Sequence, residues 1–140
     1  MNDIAEKYFN LVMREPVPEP REYINNMLGL WKEVSNDYLN ILNTHLIVND
    51  IIFYALKIKD YELAEEWGKI ALQYEGTTYL LGEGNFIMGK ISYLRGDTEK
   101  AKEYFEKVYK NSKWRLFKGE NPEYRKLAVP FFSQTENTYT

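Results

Sequence analysis

The stretch Lys59-Asp60-Tyr61-Glu62-Leu63-Ala64 returns 37 residues later as Gly96-Asp97-Thr98-Glu99-Lys100-Ala101. In the second copy a glycine that can adopt the left-handed conformation closes one helix, and an aspartate that can accept from free N–H groups opens the next. After the turn, Ala101, Phe105 and Val108 recur at helical spacing, as do Leu63, Trp67 and Ile70 with Ala64, Gly68 and Ala71 beside them. The preceding helices fall into the same alignment, Ile52 with Gly89 and Ala55 with Ser92, and the later positions pair Ala71 with Val108 and Leu72 with Tyr109. Two antiparallel helices approach closely only where side chains are small, and a large residue one turn away fills the adjacent groove. The repetition points to successive helix–turn–helix pairs; an ordinary helical bundle with one fortuitous Gly-Asp turn is the alternative.

The remainder reads as helix too. Asp3–Met13 carries Ile4, Tyr8, Leu11 and Val12 on one side and stops at Arg14–Pro20, where three prolines impose an extended connector. A second helix is expected over about Arg21–Ser35, with Ile24, Met27, Leu28, Trp31 and Val34 as its apolar stripe. A third, over about Asp37–Ile58, is apolar on most sides in its second half and is expected to be central. Asp60 caps a fourth, Tyr61–Gln73. Glu75–Thr78 is read as a turn, Gly82-Glu83-Gly84 as the start of a fifth helix or a break in it, and Arg95 as its end. A sixth helix, Thr98–Asn111, follows Asp97, and Asn121-Pro122 opens a short seventh, Pro122–Ala128. No alternating segment with a hairpin turn occurs, so the class is all-α. The expected organisation is a single helical-repeat domain over 1–130, made of N-terminal helices (1–36), a repeat-like core (37–111) and a C-terminal cap (112–130), with a frayed tail at 131–140.

The 140 residues suffice for a core without staples, and with no cysteine there is no disulfide or thiolate metal site. The opening MNDIAEKYFNLVM lacks a basic start and an apolar h-region, and the apolar window Ile41–Ile58 contains Asn43, Thr44, His45, Asn49 and Asp50. These features predict a cytoplasmic protein with no spanning helix. Residues 1–83 hold 7 basic and 14 acidic side chains, whereas 84–140 hold 11 and 7. The acidic half suits a basic partner, because complementary fields speed association; solvated helix faces of unlike sign are the alternative. In the basic half the lysines are matched by Glu99, Glu103 and Glu106, so nucleic acid is not expected as a partner. Phosphate-loop, HExxH, EF-hand and G-x-S-x-G motifs are missing; Gly82-Glu83-Gly84-Asn85 lacks the lysine a phosphate loop needs. Glu65 and Glu66, adjacent on a helix, point apart. His45 stands alone and reads as a core or interface residue. No catalytic, metal or cofactor site is expected.

Over about Asn49–Asn111 the chain resembles the tetratricopeptide repeat, a helix–turn–helix unit of about 34 residues. In its second unit Gly89, Gly96-Asp97, Ala101, Phe105 and Val108 match the repeat's small, turn, small, aromatic and late small positions. The first unit departs from it with Ile52, Lys59 and Gly68, neither unit has the closing proline, and about three extra residues fall near Glu75–Tyr79. The resemblance implies antiparallel hairpins stacked as a short superhelix of about seven helices, with the first helix of each unit lining an inner face. That face would present Leu46, Asn49, Phe53, Leu56 and Lys57, then Glu83, Phe86, Lys90, Tyr93 and Leu94; the alternative is that Phe53, Leu56 and Leu94 are core.

A second resemblance lies in SKWRLFKGENPEYRKLA. Its Arg115, Phe117, Lys118, Gly119, Glu120, Pro122, Tyr124 and Leu127 resemble the C-terminal segment of small bacterial immunity proteins encoded beside polymorphic or contact-dependent toxins. A C-terminal cap in which Trp114, Phe117 and Tyr124 cover the last groove is the alternative. The resemblances imply a protein–protein interaction module, an immunity protein that occludes a basic toxin domain from a neighbouring gene. A peptide-binding adaptor or assembly chaperone is the second reading and a small hydrolase the third. The expected partner-binding residues are Asn49, Asp50, Phe53, Lys57, Asp60, Glu62, Glu65, Glu66, Glu83, Phe86, Lys90 and Tyr93. Neither a cofactor nor a membrane is expected, and a second copy of the chain could cover an exposed end.

Overall fold

The computed structural model describes residues 3–34, 36–41, 43–75 and 82–128, and among them every regular element is helical. The order is α1 (Asp3–Val12), α2 (Pro20–Trp31), a 3-10 turn (Tyr38–Asn40), α3 (Thr44–Lys57), α4 (Tyr61–Gln73), α5 (Glu83–Leu94), α6 (Thr98–Ser112), a second 3-10 turn (Arg115–Phe117) and α7 (122–128). The expected all-α class and seven helices are met. Residues 76–78 of the expected turn and the tail 131–140 lie outside the described residues.

Two helix boundaries differ from expectation. α2 ends at Trp31, after which Glu33 and Val34 donate to Leu30 and Trp31 in tight i→i−3 turns. α3 starts at Thr44 rather than near Asp37, because Ile41 is extended and Asn43 is left-handed at φ 72°. The hydroxyl of Thr44, itself fully buried, donates to the carbonyl of Tyr38 at 2.7 Å and ties the 3-10 turn to the helix start. Val12, expected on the apolar side of α1, is exposed.

The turns between α3 and α4 and between α5 and α6 match bond for bond. Ile58 N–H donates to Tyr54 O as Arg95 does to Ile91; Lys59 to Leu56 as Gly96 to Tyr93; Asp60 to Ala55 as Asp97 to Ser92; and Ala64 to Asp60 as Ala101 to Asp97. Every pair is separated by the same 37 residues. The pattern is a Schellman closure running directly into an aspartate N-cap. Asp60 Oδ1 accepts from Leu63 N–H at 3.2 Å and Asp97 Oδ1 from Lys100 N–H at 3.1 Å. Lys59, at φ 62°, holds the left-handed conformation that Gly96 holds at φ 87°. Ala64 and Ala101, four residues past each aspartate, are completely buried.

The chain divides into two compact units, Met1–Ala71 and Leu72–Thr140. In the first, α2 packs on α3 and α1 on both. Its buried residues include Ile24, Met27, Ile47, Val48 and Ile51, and the ring of Trp31 meets Trp67 of α4 edge-on at 5.3 Å. In the second, α5 packs on α6 around Phe86, Phe105, Val108, Phe117, Tyr124 and Ala128. Gly89 makes that approach possible: a Cβ there would lie 2.6 Å from the ring of Phe105, which is wholly buried. α5 is capped from outside itself. Its N-cap, Gly82, has no side chain, and the Glu75 carboxylate accepts instead from Gly82 N–H at 2.6 Å and Asn85 N–H at 3.1 Å.

Exchanging the turn residues tests the equivalence. Lys59→Gly is expected to raise the unfolding free energy by about 1 kcal/mol through release of the left-handed strain. Gly96→Ala, where a Cβ meets nothing within 4 Å, is expected to lower it by a similar amount through backbone conformation alone. Gly89→Val is expected to cost about 1–3 kcal/mol by overpacking against Phe105. Urea unfolding of the three variants reads all of these, and equal stabilities for Lys59→Gly and the parent would refute the strain at residue 59.

Candidate functional site

Of the twelve residues expected to bind a partner, the structure commits several to internal work. Asp50 lies in α3 facing α1 and α2, and its Oδ2 accepts from the hydroxyls of Tyr8 and Tyr23, each at 2.9 Å. The carboxyl is half-buried. Burial holds it above the usual aspartate range, against the two phenol donors, which stabilise the charged form. Burial and then the Asp50 hydrogen bond push both tyrosines well above the ordinary tyrosine value. Tyr23 also lies against Tyr54, the two rings tilted with centroids 4.4 Å apart. Asp60, besides capping α4, pairs with Arg21 at 3.3 Å.

The α5 residues are covered by the chain itself. Phe86 is buried and meets Phe105, Phe117 and Tyr124 with ring centroids 5.2–5.9 Å apart. Lys90 lies 5.8 Å over the Phe86 ring and bonds Glu120 at 3.2 Å. Tyr93 meets Tyr124 edge-on at 5.3 Å. Glu83, the first residue of α5, is half-buried; burial raises its pKa, Arg115 opposes the rise and Glu75 adds to it.

The α3 and α4 residues remain accessible. Phe53 is 60% exposed, and Lys57, four residues on, sits 5.9 Å from its ring and 5.7 Å from that of Tyr54. Lys57 has no carboxylate partner among the described residues. Glu62 and Glu66, one turn apart on α4, are exposed, while Asn49 and Glu65 are half-buried. His45 is half-buried in α3, and burial lowers its pKa. Among the described residues no group of three His, Cys, Asp or Glu could hold a metal, and no helix is long and apolar enough to cross a membrane.

A shallow cleft of about 560 Å³ between α1 and α2 was not foreseen. Asn10, Asn25, Asn26 and Gly29 line it, and the ion pair Lys7–Glu33 joins its walls. Its signal was present in the polar side of both helices, but only the packing of α1 on α2 brings the three amides together. No family model matches the chain, and it has no significant match among curated proteins or solved structures.

The Asp50 node generates a pH prediction. The folded state holds the protons of Tyr8 and Tyr23 more tightly than the unfolded chain does. Their contribution is therefore complete below about pH 10 and is lost as the pH rises further. Asp50 has the same sign at lower pH: its protonated form is favoured by folding, so its contribution is largest below about pH 4 and declines above it. Urea unfolding between about pH 9 and 11 should show a falling stability, with a shallower fall in Tyr8→Phe and in Tyr23→Phe. At neutral pH each variant should lose about 1.5–3 kcal/mol, the usual worth of a hydrogen bond to a charged group. Parallel alkaline slopes in parent and variants would contradict the assignment.

Proposed function

We propose that the chain is a protein–protein interaction module of tetratricopeptide-like helix pairs and, within that class, an immunity protein that blocks a cognate toxin domain stoichiometrically. The observation that carries this reading is the pair Glu62 and Glu66, exposed on one face of α4 with no cation bonded to either among the described residues. Exposed carboxylates in a half-chain of strong negative balance attract a basic surface such as a nuclease active site. Two further features support the module reading: the bond-for-bond repetition of the two turns, and the exposed Phe53 beside Lys57. An aromatic anchor flanked by charge is the kind of group that dominates interface energetics. The role is one of occlusion and needs no catalysis; the partner is a protein met in the cytoplasm.

One observation favours the second reading, an adaptor that holds an extended peptide. The three asparagines of the α1–α2 cleft can each donate and accept, as a peptide main chain requires.

Co-expression with the product of the adjacent gene separates the two. The proposed function expects that product to be toxic alone, growth to be restored by this chain, and a one-to-one complex whose association slows with salt. Glu62→Lys with Glu66→Lys should slow association about tenfold or more at low ionic strength and flatten its salt dependence. A harmless neighbour rules out immunity; a complex indifferent to the reversals rules out the acidic contact.

A further inference from the structure

The helix α1 is held to its unit around one carboxylate, and the chain that leads away from it is tied to nothing. Tyr8 is buried and bonds Asp50 at 2.9 Å. Past α1, Met13 and Arg14 donate back to Phe9 and Leu11, and Glu19 accepts from Tyr23 at the start of α2. Residues 15–18 make no backbone hydrogen bond among the described residues, and Pro16 and Pro18 have no N–H to donate. α1 and its receiving face on α2 and α3 are therefore joined by a connector that takes no part in their contact. A second copy of the chain carries the same receiving face, with the same Asp50. Exchange of α1 between two copies reproduces every α1 contact across the pair, as identical elements do when they swap.

A swapped pair differs from two closed chains in the connector, the one part whose surroundings change. Arg14-Glu15-Pro16-Val17-Pro18-Glu19 carries a cation at one end, a carboxylate at the other and an apolar centre. Arg14 and Glu19 are exposed, and neither has an ion-pair partner among the described residues. Val17 is 71% exposed, and Met13, just before the connector, is 76% exposed. Laid antiparallel about a two-fold axis, two such segments set Arg14 of each opposite Glu19 of the other. The same register brings Val17 of each against Pro16 of the other. A parallel arrangement would set like charges together.

We propose that two copies of this chain exchange α1, so that Tyr8 of each bonds Asp50 of the other, and that the two connectors lie antiparallel as the new contact. What covers the exposed apolar connector is thus a second connector of complementary charge. The exchange goes beyond the immunity reading and does not depend on it; its consequence for any partner is that one assembly offers the acidic α4 face twice. Closure within a single chain competes at an effective concentration of about a millimolar. The dimer therefore accumulates only as the protein concentration approaches that range.

The test uses the full chain in sedimentation equilibrium, over a series from about 10 μM to about 1 mM that spans the competing effective concentration. The mass should rise toward twice that of one chain. Arg14→Glu and Glu19→Arg, both at exposed positions, should each raise the dimer dissociation constant about tenfold or more, and the double variant should return it to that of the parent. Mixing reads the exchange itself. Tyr8→Phe and Asp50→Ala each remove the bond from the single chain and from their own dimer alike. Only a mixed pair restores one Tyr8–Asp50 bond, so the mixture should dimerise about tenfold or more tightly than either variant alone. If circular dichroism shows Asp50→Ala unfolded, Asp50→Asn takes its place, with a gain of the same sign. A parent that stays monomeric through the series overturns the proposal. So does a dimer in which mixing gains nothing, since its α1 helices have not changed places. A dimer indifferent to both connector reversals overturns it as well, since another surface then holds the pair.

Discussion

The chain must reverse direction twice within three residues, at 58–60 and at 95–97, and both reversals require one residue with positive φ. That residue frees the next N–H to reach the carbonyl five positions back, so the last carbonyls of one helix are satisfied before the aspartate starts the next. Because each reversal is so short, the register of the second helix is fixed by the first, and the alanine four residues past each aspartate arrives at a buried position. The rest of each hairpin inherits its packing from this. At residue 96 glycine meets the requirement without strain; at residue 59 lysine meets it at a conformational cost, tolerated because the hydrogen bonds are otherwise the same.

Inside the second hairpin, a missing Cβ at Gly89 and a full aromatic ring at Phe105 are two halves of one fit. The first hairpin carries Ile52 and Gly68 at the corresponding alignment positions, and both are buried.

Element type and most boundaries were legible from the chain because they depend on local chemistry: proline at Pro20, capping by Asp60 and Asp97, glycine at Gly96, and Asn121 before Pro122. The break before α3 was not, since it depends on Asn43 turning left-handed and on Thr44 bonding back to Tyr38, neither of which interrupts apolar periodicity. The expected site was legible only in part. Sequence can place Asp50 or Lys90 on a helix face, but the tyrosines of α1 and α2 that claim Asp50, and the Glu120 that claims Lys90, arrive through packing over 27 to 42 residues of separation for the aspartate and 30 for the lysine. Phe53, Lys57, Glu62 and Glu66 are exposed because nothing distant covers them among the described residues, which for Phe53 decides against the core alternative.

Tyr8 is the one buried residue of α1, and its hydroxyl ends on the oxygen that Tyr23 also uses. Phe9, Val12 and Met13 of the same segment face water. The helix is thus moored by one buried phenol, the half-buried Ile4, Ala5 and Leu11, and a salt link to Glu33, with less buried apolar surface than α2 or α3. Elements attached so sparsely open at lower free energy than the core they sit on. α1 should therefore be the first piece of the unit to peel away in native-state amide exchange, handing Asp50 back to solvent while α2 and α3 stay folded, and a protease would meet the Arg14–Pro20 connector before any other helix junction of that unit.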